Sequence, residues 1–238
     1  MKLKVIVPII SDIFDQDAVT EIKQFVHPST SIDVCHLDYG PESIECEYDE
    51  ALCVPNFLEK AREAELEGYD GIISNCFADP GVKAARELLN IPVVGPGEAS
   101  MLNAALLAHS FSIISVLPNV VAMLENNAKE LGLSEKLASI RSANLPVLEV
   151  SDKAKLKESL FREMKLAIEE DKAHALILGC TGMLEVAQDL QAELKHLGYD
   201  LPVISPLVAA AKMLESLIAM NVKQSKLTYM NPPMKIRA

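Results

Sequence analysis

The chain has 238 residues, half of them hydrophobic, and a formal net charge of -12 at pH 7. This acidic balance disfavours a nucleic acid or an anionic membrane as partner, because phosphate binding requires clustered Lys and Arg. The length allows a full core in one large α/β domain or two small ones.

In the first half, short apolar runs alternate with longer amphipathic stretches, which is typical of strands alternating with helices. The lysine-flanked apolar run at the N-terminus stops at Asp12 without a small-residue cleavage site, so it does not indicate a signal peptide. The predicted elements are strand 3–7, helix 15–26, strand 31–37, helix 50–67, strand 71–74, helix 81–89, strand 92–94 and helix 99–108.

The pattern then restarts. The second set of predicted elements is strand 112–116, helix 119–131, strand 138–141, helix 153–170, strand 175–178, helix 183–196, strand 202–204 and helix 207–220. Continuous apolar strands separated by helices predict parallel sheets covered on both faces. No stretch approaches the roughly 20 uncharged apolar residues of a membrane helix, so we expect a cytoplasmic protein with no membrane partner.

The two halves match in order, which predicts an internal duplication. Cys76 and Cys180 lie 104 residues apart, and Val5 and Ile113, in the first strands of their halves, lie 108 apart. The predicted fold is therefore α/β with two pseudo-symmetric lobes. We expect a first lobe over 1–105 with part of the C-terminal segment, a second lobe over 106–220, and a tail over 221–238.

The five cysteines form no CxxC pair, and no histidine lies close to Cys76 or Cys180. We therefore expect neither a disulfide scaffold nor a metal site. Cys35 falls within a predicted strand and Cys53 within a predicted helix, where core packing is the expected role.

Cys76 and Cys180 each follow the C-terminal end of an apolar strand, the edge where parallel sheets bind ligands. A pseudo-twofold arrangement would make the two thiols face one cleft. Opposed thiols can act as base and acid and invert a stereocentre next to a carbonyl. The competing interpretation of each cysteine is a small buried hydrophobic residue. We also expect a helix N-terminus after each cysteine to lower the thiol pKa.

Other residues near these strand ends are candidates for binding the substrate. Backbone N–H groups near both cysteines are suited to a developing enolate or carboxylate, and glycines permit close backbone approach. The expected binding residues are Ser11, Ser43, Asn75, Phe77, Gly179, Thr181 and Gly182. For Ser43 and Asn75, shaping a loop or capping a turn is an equally good interpretation. Asp79, before Pro80, is expected to be a helix N-cap rather than a catalytic carboxylate.

Three segments carry a resemblance to a known family: GPESIE at 40–45, CFADPG at 76–81 and GCTGM at 179–183. The chain resembles the aspartate/glutamate/hydantoin racemase superfamily, most closely its hydantoin and allantoin racemase branch. The resemblance implies two pseudo-symmetric α/β lobes, no cofactor, catalytic cysteines at positions 76 and 180, a small-molecule substrate and a homo-oligomer.

The sequence departs from that family after its first strand. Hydantoin racemases usually carry Asn-Pro-Asn-Thr there, whereas this chain has Val7-Pro8-Ile9-Ile10-Ser11. The substrate therefore stays open between a hydantoin, allantoin and an amino acid such as Asp or Glu. The alternatives are an enzyme that resembles maleate isomerase or arylmalonate decarboxylase, and a ligand-binding relative without catalysis.

Overall fold

Within residues 1–236, which the computed structural model describes, the strands form two four-stranded parallel sheets. The first has the order β2-β1-β3-β4 and the second the order β6-β5-β7-β8. The strands are β1 Lys2–Val7, β2 Ser31–His36, β3 Gly71–Ser74, β4 Val93–Val94, β5 Phe111–Ser115, β6 Leu137–Ser142, β7 Leu176–Leu178 and β8 Val203–Ile204. Each strand of the first sheet has a counterpart at the same place in the second, which confirms the predicted duplicated α/β fold.

Helices connect the strands and cover both sheets, as parallel connections require. They are α1 Asp15–Lys23, α2 Glu47–Leu66, α3 Val82–Leu88, α4 Pro96–Leu107, α5 Val121–Glu130, α6 Lys153–Glu169, α7 Ala187–His196 and α8 Pro206–Ala219. No described helix is long and apolar enough to cross a membrane.

The central strands are mostly apolar, and three of the four are buried along their whole length. All residues of β3, β5 and β7 are buried, and β1 pairs with β3 from Leu3 opposite Gly71 to Ile6 opposite Ser74. In the second sheet, β5 pairs with β7 from Ser112 opposite Leu176. Because both pairings are parallel, the strand ends that precede Cys76 and Cys180 lie at the carboxyl edges of their sheets.

The last helix returns to the first lobe. Leu207 and Leu214 of α8 belong to one buried cluster with Leu3 and Ile73 of the first sheet. The segment after α8 continues along that lobe, where the Gln224 side-chain amide donates hydrogen bonds to the carbonyls of Leu89 and Ile91. The lobe boundaries stay predictions, and residues 237–238 of the predicted tail lie outside the described residues.

Two helices begin elsewhere than predicted, and both bear on the site. Helix α7 begins at Ala187 rather than at 183, because Glu185 has a left-handed backbone with φ 60°. Helix α4 begins at Pro96, since proline suits the first helical position, where no N–H is needed.

Candidate active site

A cavity lies between the lobes at the carboxyl ends of the central strands. Cys76 and Cys180 both line it. Its remaining lining residues are Val7, Pro8, Ile9, Phe14, Ile44, Asn75, Phe77, Ala78, Ser115, Val116, Val120, Met123, Leu124, Val147, Gly179, Thr181 and Gly182. The two thiols thus share one small, mostly apolar space.

The Cys76 loop is held by hydrogen bonds at both ends. The Asn75 N–H donates to the carbonyl of Ile6 at 2.8 Å, so the loop leaves β3 while still attached to β1. The Asp79 N–H donates to the carbonyl of Cys76 at 3.0 Å and closes a turn. The Asp79 carboxylate then accepts the N–H groups of Gly97 and Glu98, which begin α4. The predicted role of Asp79 as N-cap of the helix that follows it is wrong, because Gly81 is the N-cap of α3; its carboxylate instead binds the first N–H groups of α4 from outside that helix.

The Cys180 loop is built in a similar way. The Gly179 N–H donates to the carbonyl of Ile114 at 2.7 Å, and the Met183 N–H donates to the carbonyl of Cys180 at 3.2 Å. A side chain at Gly179 has no room, because its Cβ would lie 2.8 Å from the Cα of Ser115. The Gly182 N–H points at the Cys180 Sγ at 3.4 Å.

Burial, rather than a helix N-terminus, dominates the acidity of both thiols. Loss of solvation raises the pKa of Cys76 well above its ordinary value and raises that of Cys180 to about 11. Backbone N–H groups, of Ala78 for Cys76 and of Gly182 and Met183 for Cys180, oppose this rise only in part. The predicted lowering of the thiol pKa is therefore wrong, since α3 and α7 begin several residues beyond the cysteines.

Three polar groups beside the thiols have no hydrogen-bond partner in the described part of the chain. The Oδ1 atom of Asn75 is buried without a hydrogen bond among the described residues, although its side chain is 4% exposed and lines the cavity. Within residues 1–236, the backbone N–H groups of Phe77 and Thr181 also have no acceptor. Each of these two residues directly follows a cysteine. Since buried polar groups are normally paired, these atoms are available to a ligand.

Of the predicted binding residues, Asn75, Phe77, Gly179, Thr181 and Gly182 line the cavity. Ser11 and Ser43 do not. The Ser11 hydroxyl instead accepts the N–H of Ile13 at 3.3 Å, a local turn contact. Neighbouring apolar residues, Ile9 and Ile44, face the cavity in their place.

The sequence reasoning missed most of the apolar wall from the second lobe. Ser115 ends β5 and Val116 follows it, as Val7 ends β1 and Pro8 follows it, so the internal repeat contained a signal for them. Val120, Met123 and Leu124 come from the start of α5 and its preceding turn, and no local pattern distinguishes them from ordinary core residues.

No charged side chain is among the lining residues of the cavity in the described chain. Nor do residues 1–236 contain a group of three His, Cys, Asp or Glu arranged to hold a metal ion. The polar groups that the lining residues offer are two thiols, two hydroxyls and amide groups, in an otherwise apolar space.

Known proteins share this sequence and architecture. A family model described as Asp/Glu/Hydantoin racemase matches residues 14–214. A hydantoin racemase of Pseudomonas sp. (strain NS671) is 38% identical over 237 residues, covering 99% of this chain and 93% of that protein. The solved allantoin racemase from Klebsiella pneumoniae has a TM-score of 0.94 at 34% identity, covering 100% of this chain and 96% of that one. The allantoin racemase from Pseudomonas fluorescens has a TM-score of 0.93 at 28% identity, with 100% of both chains covered.

Proposed function

The chain belongs to the Asp/Glu/hydantoin racemase family, and from that premise we propose that it racemises an uncharged 5-substituted hydantoin, with Cys76 and Cys180 as the acid/base pair. Family membership confirms the resemblance read from the three sequence segments. It also makes the protein an isomerase of the racemase type. The substrate and the roles of the two thiols are the proposal.

The observation that carries this proposal is that both thiols line one cavity with no charged side chain among its lining residues. Inversion at carbon requires a base on one face and an acid on the other. A substrate carbon between the two sulfurs meets that requirement. The cavity supplies no competing charged group that would take up the proton.

The proposed step conserves atoms and charge. A thiolate on one side removes the proton from C5, the ring carbon next to the carbonyl, and the C–H electron pair enters the enolate. The thiol on the other side then gives its proton to the opposite face of C5. The reaction leaves the second sulfur as thiolate and the first as thiol, so the same pair catalyses the reverse direction.

The unpartnered amide groups support a role in stabilising the enolate. We assign the free N–H groups of Phe77 and Thr181 to the ring oxygens, where negative charge develops. The Asn75 Oδ1 is suited to accept a ring N–H. A hydantoin ring offers both kinds of group, since its carbonyls accept and its nitrogens donate hydrogen bonds.

The apolar walls favour a neutral substrate with an apolar substituent. Asp, Glu, maleate and arylmalonates all carry carboxylates, and burying a carboxylate without a cation or several donors is costly. The walls formed by Ile9, Phe14 and Val120 instead suit an alkyl or aryl group. They also favour such hydantoins over allantoin, whose ureido substituent is polar.

A substrate panel in deuterium oxide tests the proposal. Enantiomerically pure 5-isobutyl- and 5-benzylhydantoin, allantoin, Asp, Glu, maleate and phenylmalonate are each incubated with the protein, with protein-free buffer as control. NMR and chiral chromatography follow deuterium uptake and inversion. We expect both signals for the two apolar hydantoins, and a loss of inversion of about 10²–10⁴-fold in Cys76→Ser and in Cys180→Ser.

Two results would contradict this assignment. One is turnover of a carboxylate substrate in the absence of any turnover of the hydantoins. The other is full inversion by either serine variant, because a hydroxyl is far less acidic than a thiol and is a poor substitute for it.

We further propose that the protein is a homo-oligomer in the cytoplasm. The oligomer is implied by the family, and sedimentation equilibrium at several concentrations measures it directly. The cytoplasmic location is supported by the five cysteines, which are all free, since unpaired thiols persist in reducing compartments.

A further inference from the structure

We propose that Glu45 is a positioning residue for the proposed isomerisation: its carboxylate joins the two lobes at the wall of the cavity that Cys180 lines, and its negative charge acts on that thiol. The mechanistic significance of this inference rests on the proposed function. The contact and the electrostatic effect do not, and they can be tested without a substrate.

The contact spans the lobes. Glu45 lies between β2 and α2, and its Oε1 accepts the backbone N–H of Val147 at 2.7 Å. Val147 begins the short 3-10 turn that follows β6. The Glu45 N–H in turn donates to the Asp49 Oδ2 at 3.0 Å, which fixes the glutamate to the first turn of α2. A segment of the first lobe is thereby fastened to a segment of the second.

The fastened segments form part of the cavity wall. Ile44, next to Glu45, and Val147, its partner, both line the cavity and are buried. Among the described residues, no other hydrogen bond or ion pair joins Glu45 to the turn at Val147. The bond therefore keeps two apolar side chains from opposite lobes against the same space.

The carboxylate also acts on a thiol through its charge. Glu45 forms no ion pair among the described residues, so no cation neutralises it. Besides burial, the groups that act on the Cys180 pKa are the N–H groups of Gly182 and Met183, which lower it, and Glu45, which raises it. The Cys76 thiol lines the same cavity as Cys180.

Cys76 experiences a different set of neighbours. Its pKa is raised by burial, by the thiols of Cys53 and Cys180, and by the Glu50 carboxylate. Glu45 is not among these groups. The two thiols of the pair are thus adjusted by different carboxylates, and a change at Glu45 is expected to affect Cys180 selectively.

The variant Glu45→Gln separates the charge from the contact. Its amide oxygen can still accept the Val147 N–H, while the negative charge is lost. The measurement is the rate of alkylation of Cys180 by iodoacetamide in the full-length protein, from pH 7 to 10, resolved from the other cysteines by peptide mass spectrometry. Because thiolate is the reactive form, we expect a rate about threefold higher at pH 8, equivalent to a midpoint about half a pH unit lower.

Two controls keep the result specific. Glu42→Gln removes the same charge from an exposed position in the same segment and should leave the Cys180 rate unchanged. The Cys76 rate in Glu45→Gln is an internal reference, because a loosened cavity would expose both thiols together. In Glu45→Ala, which loses charge and contact, we expect both rates to rise.

An unchanged Cys180 rate in Glu45→Gln overturns the inference, as does an equal rise in Glu42→Gln or at Cys76. Failure of the proposed function looks different. In that case the wild-type protein racemises no hydantoin, while the selective change at Cys180 is still observed.

Discussion

The Thr181 hydroxyl donates a hydrogen bond to the backbone carbonyl of Asn75 at 3.1 Å. Thr181 directly follows Cys180, and Asn75 directly precedes Cys76, so this bond joins the two cysteine loops across the lobes. Both residues are buried, with exposed fractions of 8% and 4%. The spacing of the two thiols is thus fixed by a contact immediately beside them.

The substitution Thr181→Val tests this bond. Valine keeps the shape and leaves the Asn75 carbonyl without its donor, so we expect the free energy of unfolding to fall by about 1–3 kcal/mol. We also expect racemisation to slow by about tenfold or more, because small displacements of reacting groups are costly. Urea unfolding and chiral chromatography measure the two effects. Thr181→Ser retains the hydroxyl, so its stability and its racemisation rate should both be close to those of the wild type. Equal losses in the valine and serine variants would refute the role of the bond.

The raised thiol pKa values predict a stability that declines in alkali. Unfolding returns the Cys180 pKa from about 11 to its ordinary value of 9.0. Below pH 9 the thiol is protonated in both states and its contribution is complete. Between pH 9 and 11 only the unfolded chain releases the proton, so this contribution is lost as the pH rises.

The comparison of wild type with Cys180→Ser isolates that effect. Between pH 8 and 10 we expect the wild-type free energy of unfolding to fall by about 1 kcal/mol more than that of the variant. Urea titrations at each pH measure the difference. Parallel pH profiles for the two proteins would mean that Cys180 ionises as readily in the folded chain as in the unfolded one.

The Asp79 carboxylate is expected to be essential to the Cys76 loop. Its two oxygens accept the N–H groups of Gly97 at 2.7 Å and Glu98 at 2.6 Å. Asp79→Ala leaves both N–H donors unpaired, so we expect the free energy of unfolding to fall by about 2–4 kcal/mol. Thermal or urea unfolding measures this change. Asp152→Ala is the matched control, because Asp152 caps α6 through one N–H, of Lys155, at an exposed site. In Asp152→Ala the free energy of unfolding should fall by only about 1 kcal/mol. A similar fall in both variants would contradict the special role of Asp79.

Gly97 is expected to tolerate no side chain. Its Cβ would overlap the carbonyl oxygen of Phe77, the residue after Cys76. In Gly97→Ala the cysteine loop must move, so we expect racemisation to fall at least about tenfold in a protein that still folds. Circular dichroism checks folding. The control is Leu106→Ala, at an exposed position of the same helix, which should keep wild-type activity. Full activity in Gly97→Ala would mean that the cysteine loop can shift without affecting racemisation.

The sequence predicted the sheets and the cysteine pair because the relevant signals are local or periodic. Apolar runs such as Ile72–Ser74 and Leu176–Leu178 identify buried strands, and Cys76 and Cys180 follow them at matching positions of the repeat. Parallel pairing places each strand end at the carboxyl edge of its own sheet, and the packing of the two lobes brings these edges to one cavity. The start of α7 was misplaced, since the left-handed conformation of Glu185 depends on contacts that its own segment does not reveal.

The binding residues in loops were harder to assign. Ser11 and Ser43 were chosen for their chemistry, yet Ile9 and Ile44 line the cavity. In an irregular segment the direction of a side chain has no fixed period, so the sequence does not show which of two or three neighbouring residues lines the cavity. The apolar wall from α5 carries the same pattern as any buried helix face.

By itself, the sequence determined the α/β architecture, its duplication and the two thiols that the repeat brings to equivalent positions. Only the tertiary structure decided how acidic those thiols are, which amide groups are left free beside them, and which apolar side chains surround them. Solvation is the physical reason: it depends on every group packed around an atom. Around Cys180 these groups include Glu45, 135 positions earlier in the chain.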